Sequence, residues 1–79
     1  MAERFTNRQG QYLAFAVAYT KLHRRSPAEA DFQHYFCVTA PSVHNMIVTL
    51  ERHGLIRRTA GQARSIEVLV PANEVPPLE

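Results

Sequence analysis

Short polar side chains that can hydrogen-bond to nucleic-acid bases are concentrated in the segment that begins at Thr39. Pro41, Ser42, His44 and Asn45 follow directly. In a DNA major groove, an asparagine amide can pair with an adenine edge and an imidazole can bond to a guanine edge. We predict that these five residues read DNA bases, provided that the segment is a helix with its polar side exposed. The alternative is a solvated helix surface without a partner.

Basic side chains that can bind phosphate follow the same segment. A guanidinium group presents a planar fork of donors that matches a phosphate, and such contacts position a protein on a duplex without reading its sequence. We predict backbone contacts for Arg52, Arg57, Arg58 and Arg64, and a minor-groove contact for Gln62. The alternative is an ordinary hairpin whose charges prevent edge-to-edge pairing.

The charges are unevenly distributed along the chain, although the net charge is only +2. All nine Lys and Arg residues lie at or before Arg64, whereas the last fourteen residues contain three glutamates and no basic residue. A basic body with an acidic end is consistent with a surface that faces phosphates. The modest net charge also leaves open a rival function, a module that binds another protein instead of DNA.

Two helices are predicted ahead of the polar segment. Thr6 is a suitable N-cap for a helix over residues 7–24, a stretch without proline whose apolar residues cover more than one stripe. Ser26 is predicted to be the N-cap of a second helix over residues 27–36, in which Glu29 completes a capping box. The apolar side chains of this second helix recur at helical spacing and are expected in the core.

The candidate base-reading residues lie on a third predicted helix over residues 40–53. Thr39 is its N-cap, and Pro41 lies in the first turn, where the missing N–H is not needed. Apolar residues recur every three to four positions from Val43 onward and predict a buried stripe, which leaves the polar side chains on the remaining surface. Gly54 is predicted to end the helix in the left-handed conformation.

Two β-prone runs, residues 55–58 and 65–70, follow the third helix and are joined by a polar segment. They predict a hairpin, and a helix-turn-helix followed by a hairpin is a winged helix. We therefore predict an α+β winged helix-turn-helix fold with three helices and a two-stranded wing, with a short third strand as an alternative. Residues 1–70 are expected to form this domain, and the proline-containing residues 71–79 an extended C-terminal tail.

Other functions find little support in the sequence. Cys37 is the single cysteine and cannot form an intramolecular disulfide, so we expect a small buried side chain, with a redox sensor as the alternative. The four histidines lack the spacing of a metal site, and no nucleophile elbow or phosphate-binding loop is present. We expect no cofactor, no metal and no enzymatic activity. Without a signal sequence or a long apolar run, the sequence predicts a cytoplasmic protein with no membrane contact.

Three segments resemble the N-terminal DNA-binding domain of LexA-type repressors. They are Phe5-Thr6-Asn7-Arg8-Gln9, Ser26-Pro27-Ala28-Glu29 and Leu50-Glu51-Arg52-His53-Gly54-Leu55-Ile56. The resemblance covers residues 5 to about 69, and the wing is also similar to that of MarR-like regulators. It implies a sequence-specific repressor that binds double-stranded DNA, with the five polar residues from Thr39 to Asn45 in the base-reading positions and Arg52 and the wing arginines near the backbone.

The chain also departs from the LexA pattern. Thr39-Ala40-Pro41 stands where the family often has Ser-Pro-Asn, so the preferred bases are not carried over. We expect no counterpart of the self-cleaving, dimerising domain of the family, and Lys21, the only lysine, is predicted to lie in the first helix. We therefore do not expect the Ser-Lys self-cleavage of these repressors.

Aromatic residues of the first helix predict a homodimer. Tyr12, Phe15 and Tyr19 recur at a spacing of three to four residues. A second apolar set forms a competing inward face, consisting of Leu13, Ala16, Val17 and Thr20. We predict that the aromatic set contacts a second copy of the chain, in which case two-fold symmetry would place the recognition helices roughly 34 Å apart on a palindromic site.

Overall fold

The computed structural model describes residues 4–79 and has the predicted winged-helix architecture. Its elements are α1 (Asn7–His23), α2 (Glu29–Phe36), α3 (Ala40–Arg52), β1 (Ile56–Arg57), β2 (Glu67–Val68) and a 3-10 helix (Ala72–Glu74). Three helices followed by a two-stranded antiparallel hairpin confirm the α+β fold. Across residues 4–79, no helix is both long and apolar enough to cross a membrane.

Local hydrogen bonds fix the starts of α1 and α3 as predicted. The Thr6 hydroxyl accepts from the Gln9 N–H at 3.1 Å, and the Gln9 side chain accepts from the Thr6 N–H at 2.9 Å. This capping box satisfies two amide groups that have no partner inside the helix. At α3, the Thr39 hydroxyl accepts from the Ser42 N–H at 3.3 Å, and Pro41 lies in the first turn.

The predicted start of α2 is wrong. The helix begins at Glu29 rather than at Pro27, and Asp31 closes its first turn by accepting from the Ala28 N–H at 2.8 Å. The Ser26 hydroxyl instead accepts from the Ile66 N–H at 2.8 Å. Ser26 therefore connects the segment before α2 to the second half of the hairpin, and Glu29 does not complete a capping box.

The ends of the helices use the left-handed conformation. Gly54 follows α3 with φ at 73°, as predicted, and a glycine adopts this angle without steric cost. Arg24 and Cys37 cap α1 and α2 with φ at 58° and 55°, an angle that costs a residue with a Cβ more. Cys37 is exposed, so the expectation of a small buried side chain is wrong.

The core is centred on α1. Five successive residues of this helix, from Tyr12 to Ala16, are buried, which is more than one full turn. α2 contributes Phe32, and α3 contributes Val43, Ile47 and Leu50. The buried stripe predicted for α3 is therefore confirmed, whereas α1 is covered on all sides in its middle.

Two of the three residues of the predicted homodimer surface of α1 lie inside the protein. Tyr12 is 2% exposed and Phe15 is 8% exposed. Their rings pack against Phe32 of α2, with ring centroids 5.2 and 4.9 Å apart. Tyr19 is half-buried and contacts Phe15. The prediction is wrong for Tyr12 and Phe15, because α2 covers them within one chain, whereas a contact of Tyr19 with a second copy stays a prediction.

The two strands form a short ladder at the base of the hairpin. Ile56 is paired with Val68, and Arg57 with Glu67. The Leu69 N–H donates to the Leu55 carbonyl at 2.9 Å and continues the pairing by one residue. The long segment between the strands has no ladder and depends on side-chain contacts for its position.

The C-terminal segment turns back along α1 after the 3-10 helix. The Gln11 amide donates to the Pro77 carbonyl at 3.0 Å and accepts from the Glu79 N–H at 2.8 Å. Gly10 allows close approach, since a Cβ there would lie 2.9 Å from Pro76 Cγ. The tail is thus packed against the helices, and the domain boundary at residue 70 stays a prediction.

Candidate nucleic-acid interface

The leading end of α3, residues 39–45, presents its polar side chains to solvent. All five predicted base-reading residues are exposed, namely Thr39, Pro41, Ser42, His44 and Asn45. Val43, in the same turn, has no exposed surface and anchors this side of the helix in the core. The predicted orientation of the helix is confirmed, and neither the wing nor the tail covers its leading end. That the five side chains read bases stays a prediction.

Asn45 and Ser42 each have side-chain polar groups that are available to a partner. The side-chain amide of Asn45 makes no hydrogen bond within residues 4–79. The Thr49 hydroxyl donates to the backbone carbonyl of Asn45 at 2.8 Å and leaves this side chain free. The Ser42 N–H is taken up by the Thr39 cap, which leaves the Ser42 hydroxyl at the surface. The amide of Asn45 has the donor and acceptor that pairing with an adenine edge requires.

His44 belongs to a network of charged side chains that joins three elements. Its Nδ1 lies 3.3 Å from a Glu29 carboxylate oxygen, and Arg58 donates to the same oxygen at 3.5 Å. Arg58 also donates to Glu51 on α3 at 2.9 Å. Because both carboxylates are more than a third exposed, each pair contributes under about 1 kcal/mol.

Arg57 and Arg52 are the more accessible of the predicted phosphate contacts. Arg57 pairs with Glu67, its neighbour in the strand register, and both side chains are more than half exposed. Arg52 is exposed near the end of α3 and has no carboxylate partner within residues 4–79. A phosphate can therefore approach Arg52 directly, and Arg57 with little desolvation.

Arg64 fastens the wing to the helices. Its Nη1 donates to the Asp31 carboxylate at 2.9 Å, to the Ser26 carbonyl at 3.2 Å and to the Tyr19 hydroxyl at 3.2 Å. The guanidinium carbon also lies 5.9 Å from the centre of the Tyr19 ring. The Arg64 side chain thus bonds to α1, to α2 and to the segment between them. These bonds position the wing against the helices.

The Asp31–Arg64 contact changes the acidity of both groups. Desolvation acts to raise the pKa of Asp31, but hydrogen bonds from the Ala28 N–H and from Arg64 outweigh it, so that the pKa lies below its ordinary value. The hydrogen bond to Tyr19, followed by the hydrogen bond and charge of Asp31, raises the pKa of Arg64. Both groups are therefore charged in their paired form.

The wing tip is closed by Ser65. Its hydroxyl accepts from the Thr59 N–H at 2.9 Å, and the Gln62 N–H donates to the Thr59 carbonyl at 3.2 Å. Gly61 has φ at 81°, which a residue with a side chain would adopt only with strain. The Gln62 side chain is exposed at this tip, as the sequence predicts.

The acidic partners of the arginines were not predicted from the sequence. Glu67 could have been found, because a hairpin centred on the polar segment places it opposite Arg57. Glu29 and Asp31 were not predictable partners of Arg58 and Arg64, since they lie 29 and 33 residues away in sequence. Within residues 4–79, no group of three His, Cys, Asp or Glu side chains is arranged to hold a metal ion.

Comparison with known proteins identifies one informative relative. No protein-family profile matches the chain. A LexA repressor from Thermosipho africanus (strain TCF52B) is 33% identical over 64 residues, which make up 81% of this chain and 32% of the repressor. The chain thus spans about a third of the length of this relative. The sequence similarity and the winged-helix fold together confirm the resemblance of this chain to the N-terminal DNA-binding domain of LexA-type repressors.

Proposed function

We propose that this domain binds double-stranded DNA sequence-specifically and acts as a transcriptional regulator without catalytic activity. The observation that carries the proposal is the exposed leading end of α3, which follows α2 after a turn of three residues, 37–39. A helix in this arrangement fits a major groove about 12 Å wide. The name of the relative, a repressor, supports a role in repression.

Each exposed residue of the site has a role in this proposal. Base edges are contacted by Ser42, His44 and Asn45, with Thr39 and Pro41 at the entry of the helix. Phosphates are bound by Arg52 and Arg57, the two most accessible guanidinium groups of the predicted set. Arg58 and Arg64 contribute less than their charge suggests, because each must share its donors with a carboxylate of the domain. Gln62 reaches a minor groove from the wing tip.

Selection of bound sequences from a random duplex library tests this function. We expect an enriched motif, and binding whose log affinity falls linearly with log salt at about 0.9 per phosphate neutralised. The double variant His44→Ala, Asn45→Ala serves as a control, since it should lose the motif while retaining binding to random DNA. Failure to bind any duplex at about 50 mM salt would contradict the proposal.

A protein-binding module is the second candidate, and the ion pairs of the wing favour it. Three of the four arginines predicted to bind phosphate already pair with carboxylates, namely Arg57, Arg58 and Arg64. A surface with balanced charges suits a protein partner as well as a nucleic acid. Absence of DNA binding in the salt titration, with the fold intact by circular dichroism, would favour this candidate.

Dimerisation on a palindromic site remains part of the proposal, through a surface other than the buried aromatics of α1. A selected motif with two half-sites one helical turn apart, roughly 34 Å, would support it. A single asymmetric half-site together with monomeric sedimentation on and off DNA would contradict it. A cytoplasmic location is proposed on the resemblance to a repressor alone.

A further inference from the structure

The contact between His44 and Glu29 links the candidate base-reading helix to the start of α2. His44 Nδ1 lies 3.3 Å from Glu29 Oε2, although the residues are fifteen positions apart in sequence. A carboxylate only accepts hydrogen bonds, so the imidazole nitrogen that faces it carries a proton. In the neutral ring, the other nitrogen, Nε2, is then a hydrogen-bond acceptor.

The Glu29 carboxylate is itself held in place. Arg58, directly after β1, donates to the same carboxylate oxygen at 3.5 Å, and its other terminal nitrogen donates to Glu51 of α3 at 2.9 Å. Glu29 is thus tethered from the wing while it contacts α3. The His44 side chain is 58% exposed, and its Nε2 makes no hydrogen bond within residues 4–79, so this nitrogen is available to a partner.

We propose that Glu29 is a positioning residue that sets the base preference of His44, an inference that rests on the proposed DNA-binding function. With Nδ1 protonated, Nε2 accepts a hydrogen bond from an exocyclic amino group, which cytosine and adenine present in the major groove. Guanine presents only acceptors at that edge and is disfavoured. His44 therefore selects cytosine or adenine, and not the guanine that its residue type alone suggests.

The tautomer of His44 is measured first, in the free protein at about pH 8, above the reference pKa of a free histidine side chain. An NMR correlation between the ring nitrogens and ring protons distinguishes the two tautomers. We expect His44 to be protonated at Nδ1 in the wild type. In Glu29→Ala it should resemble the exposed His34 and His53, which have no side-chain hydrogen bond within residues 4–79.

A matched control separates tautomer control from general disruption of the network. Glu51→Ala removes the other carboxylate bound to Arg58 and leaves the Glu29–His44 contact in place, so the His44 signals should match the wild type. If His44 gave the same signals in the wild type and in Glu29→Ala, the positioning role of Glu29 would be overturned.

Library selection at the same pH tests the base preference. The position read by His44 is the one whose preference disappears in His44→Phe, and we expect cytosine or adenine there in the wild-type motif. Glu29→Ala should reduce that preference over guanine by about two- to tenfold, the range of one hydrogen bond. Guanine at this position would overturn the base preference. Absence of binding to any duplex would overturn both the base preference and the proposed function. The NMR measurement tests independently whether Glu29 sets the tautomer of His44.

Discussion

The leading end of α3 and the wing differ in how their polar groups are engaged. Around the leading end, Asn45 makes no side-chain hydrogen bond within the described part of the chain, and His44 bonds through only one ring nitrogen. On the wing, Arg57, Arg58 and Arg64 each bond to a carboxylate. Side chains that are free to bind a ligand therefore lie beside side chains that hold the fold together.

This difference predicts that the leading end of α3 determines sequence specificity, whereas the wing contributes to general affinity for DNA. Side chains with open hydrogen-bonding capacity can discriminate between bases, whereas a guanidinium group that already pairs with a carboxylate adds less to phosphate binding. The sequence shows four arginines in this region, which would imply about four neutralised phosphates. The structure predicts a weaker salt dependence, closer to one or two phosphates per domain, with a slope between about 0.9 and 1.8.

The largest effect is expected from Asn45→Ala. Loss of a bidentate amide–base pair should cost about 1–3 kcal/mol of discrimination at one position of the site, with little change in binding to random DNA. Competition binding with single-base variants of the selected site measures it. Asn7→Ala, at an exposed position of α1, is the matched control. An unchanged site preference in Asn45→Ala would remove this side chain from the base-reading set.

Next in size is the loss of the cap that forms the leading end. Thr39→Ala removes the hydroxyl that accepts from the Ser42 N–H, and we expect the free energy of unfolding to fall by about 1 kcal/mol. Denaturant titration measures the loss. Thr39→Ser keeps the acceptor and should remain close to the wild type, so equal destabilisation by both changes would argue against capping as the cause.

Releasing a wing arginine should have a smaller and opposite effect on DNA binding. Glu67→Gln removes the carboxylate that pairs with Arg57, which should raise affinity for random DNA by about two- to fivefold, under about 1 kcal/mol. The salt slope should steepen by up to about 0.9, because Arg57 no longer shares its donors between Glu67 and a phosphate. Glu74→Gln, which affects the ion pair with Arg4 near the tail, should leave the slope unchanged. A steeper slope in both variants would show only a general effect of charge.

The smallest effect concerns the acid stability of the wing attachment. Because the pKa of Asp31 is lowered in the fold, this carboxylate stabilises the protein above its unfolded pKa of about 3.9, and the contribution is lost as the pH falls through the lowered folded value. In Asp31→Asn, the free energy of unfolding should therefore depend less on pH below about 5 than in the wild type. Glu74→Gln is again the control. Parallel pH profiles for Asp31→Asn and the wild type would contradict the assignment.

The helices and the orientation of α3 follow from local rules that can be read along the chain. Thr6 and Thr39 bond to amides three residues ahead, so their capping role requires no other part of the fold. Gly54 adopts a conformation that only glycine reaches without strain. The spacing of apolar residues in α3 determines which side is buried, and thereby which polar residues are exposed at its leading end.

The partners of those polar residues depend on contacts between distant segments. Ser26 has the residue type and position of an N-cap, but its hydroxyl bonds to Ile66, forty residues away, and α2 begins later. Both faces of α1 are apolar, and only the packing of α2 against it decided that Tyr12 and Phe15 are core residues. Spacing along the chain carries information about a helix's own turns, whereas the pairing of charges such as Arg64 with Asp31 arises when separate elements meet in space.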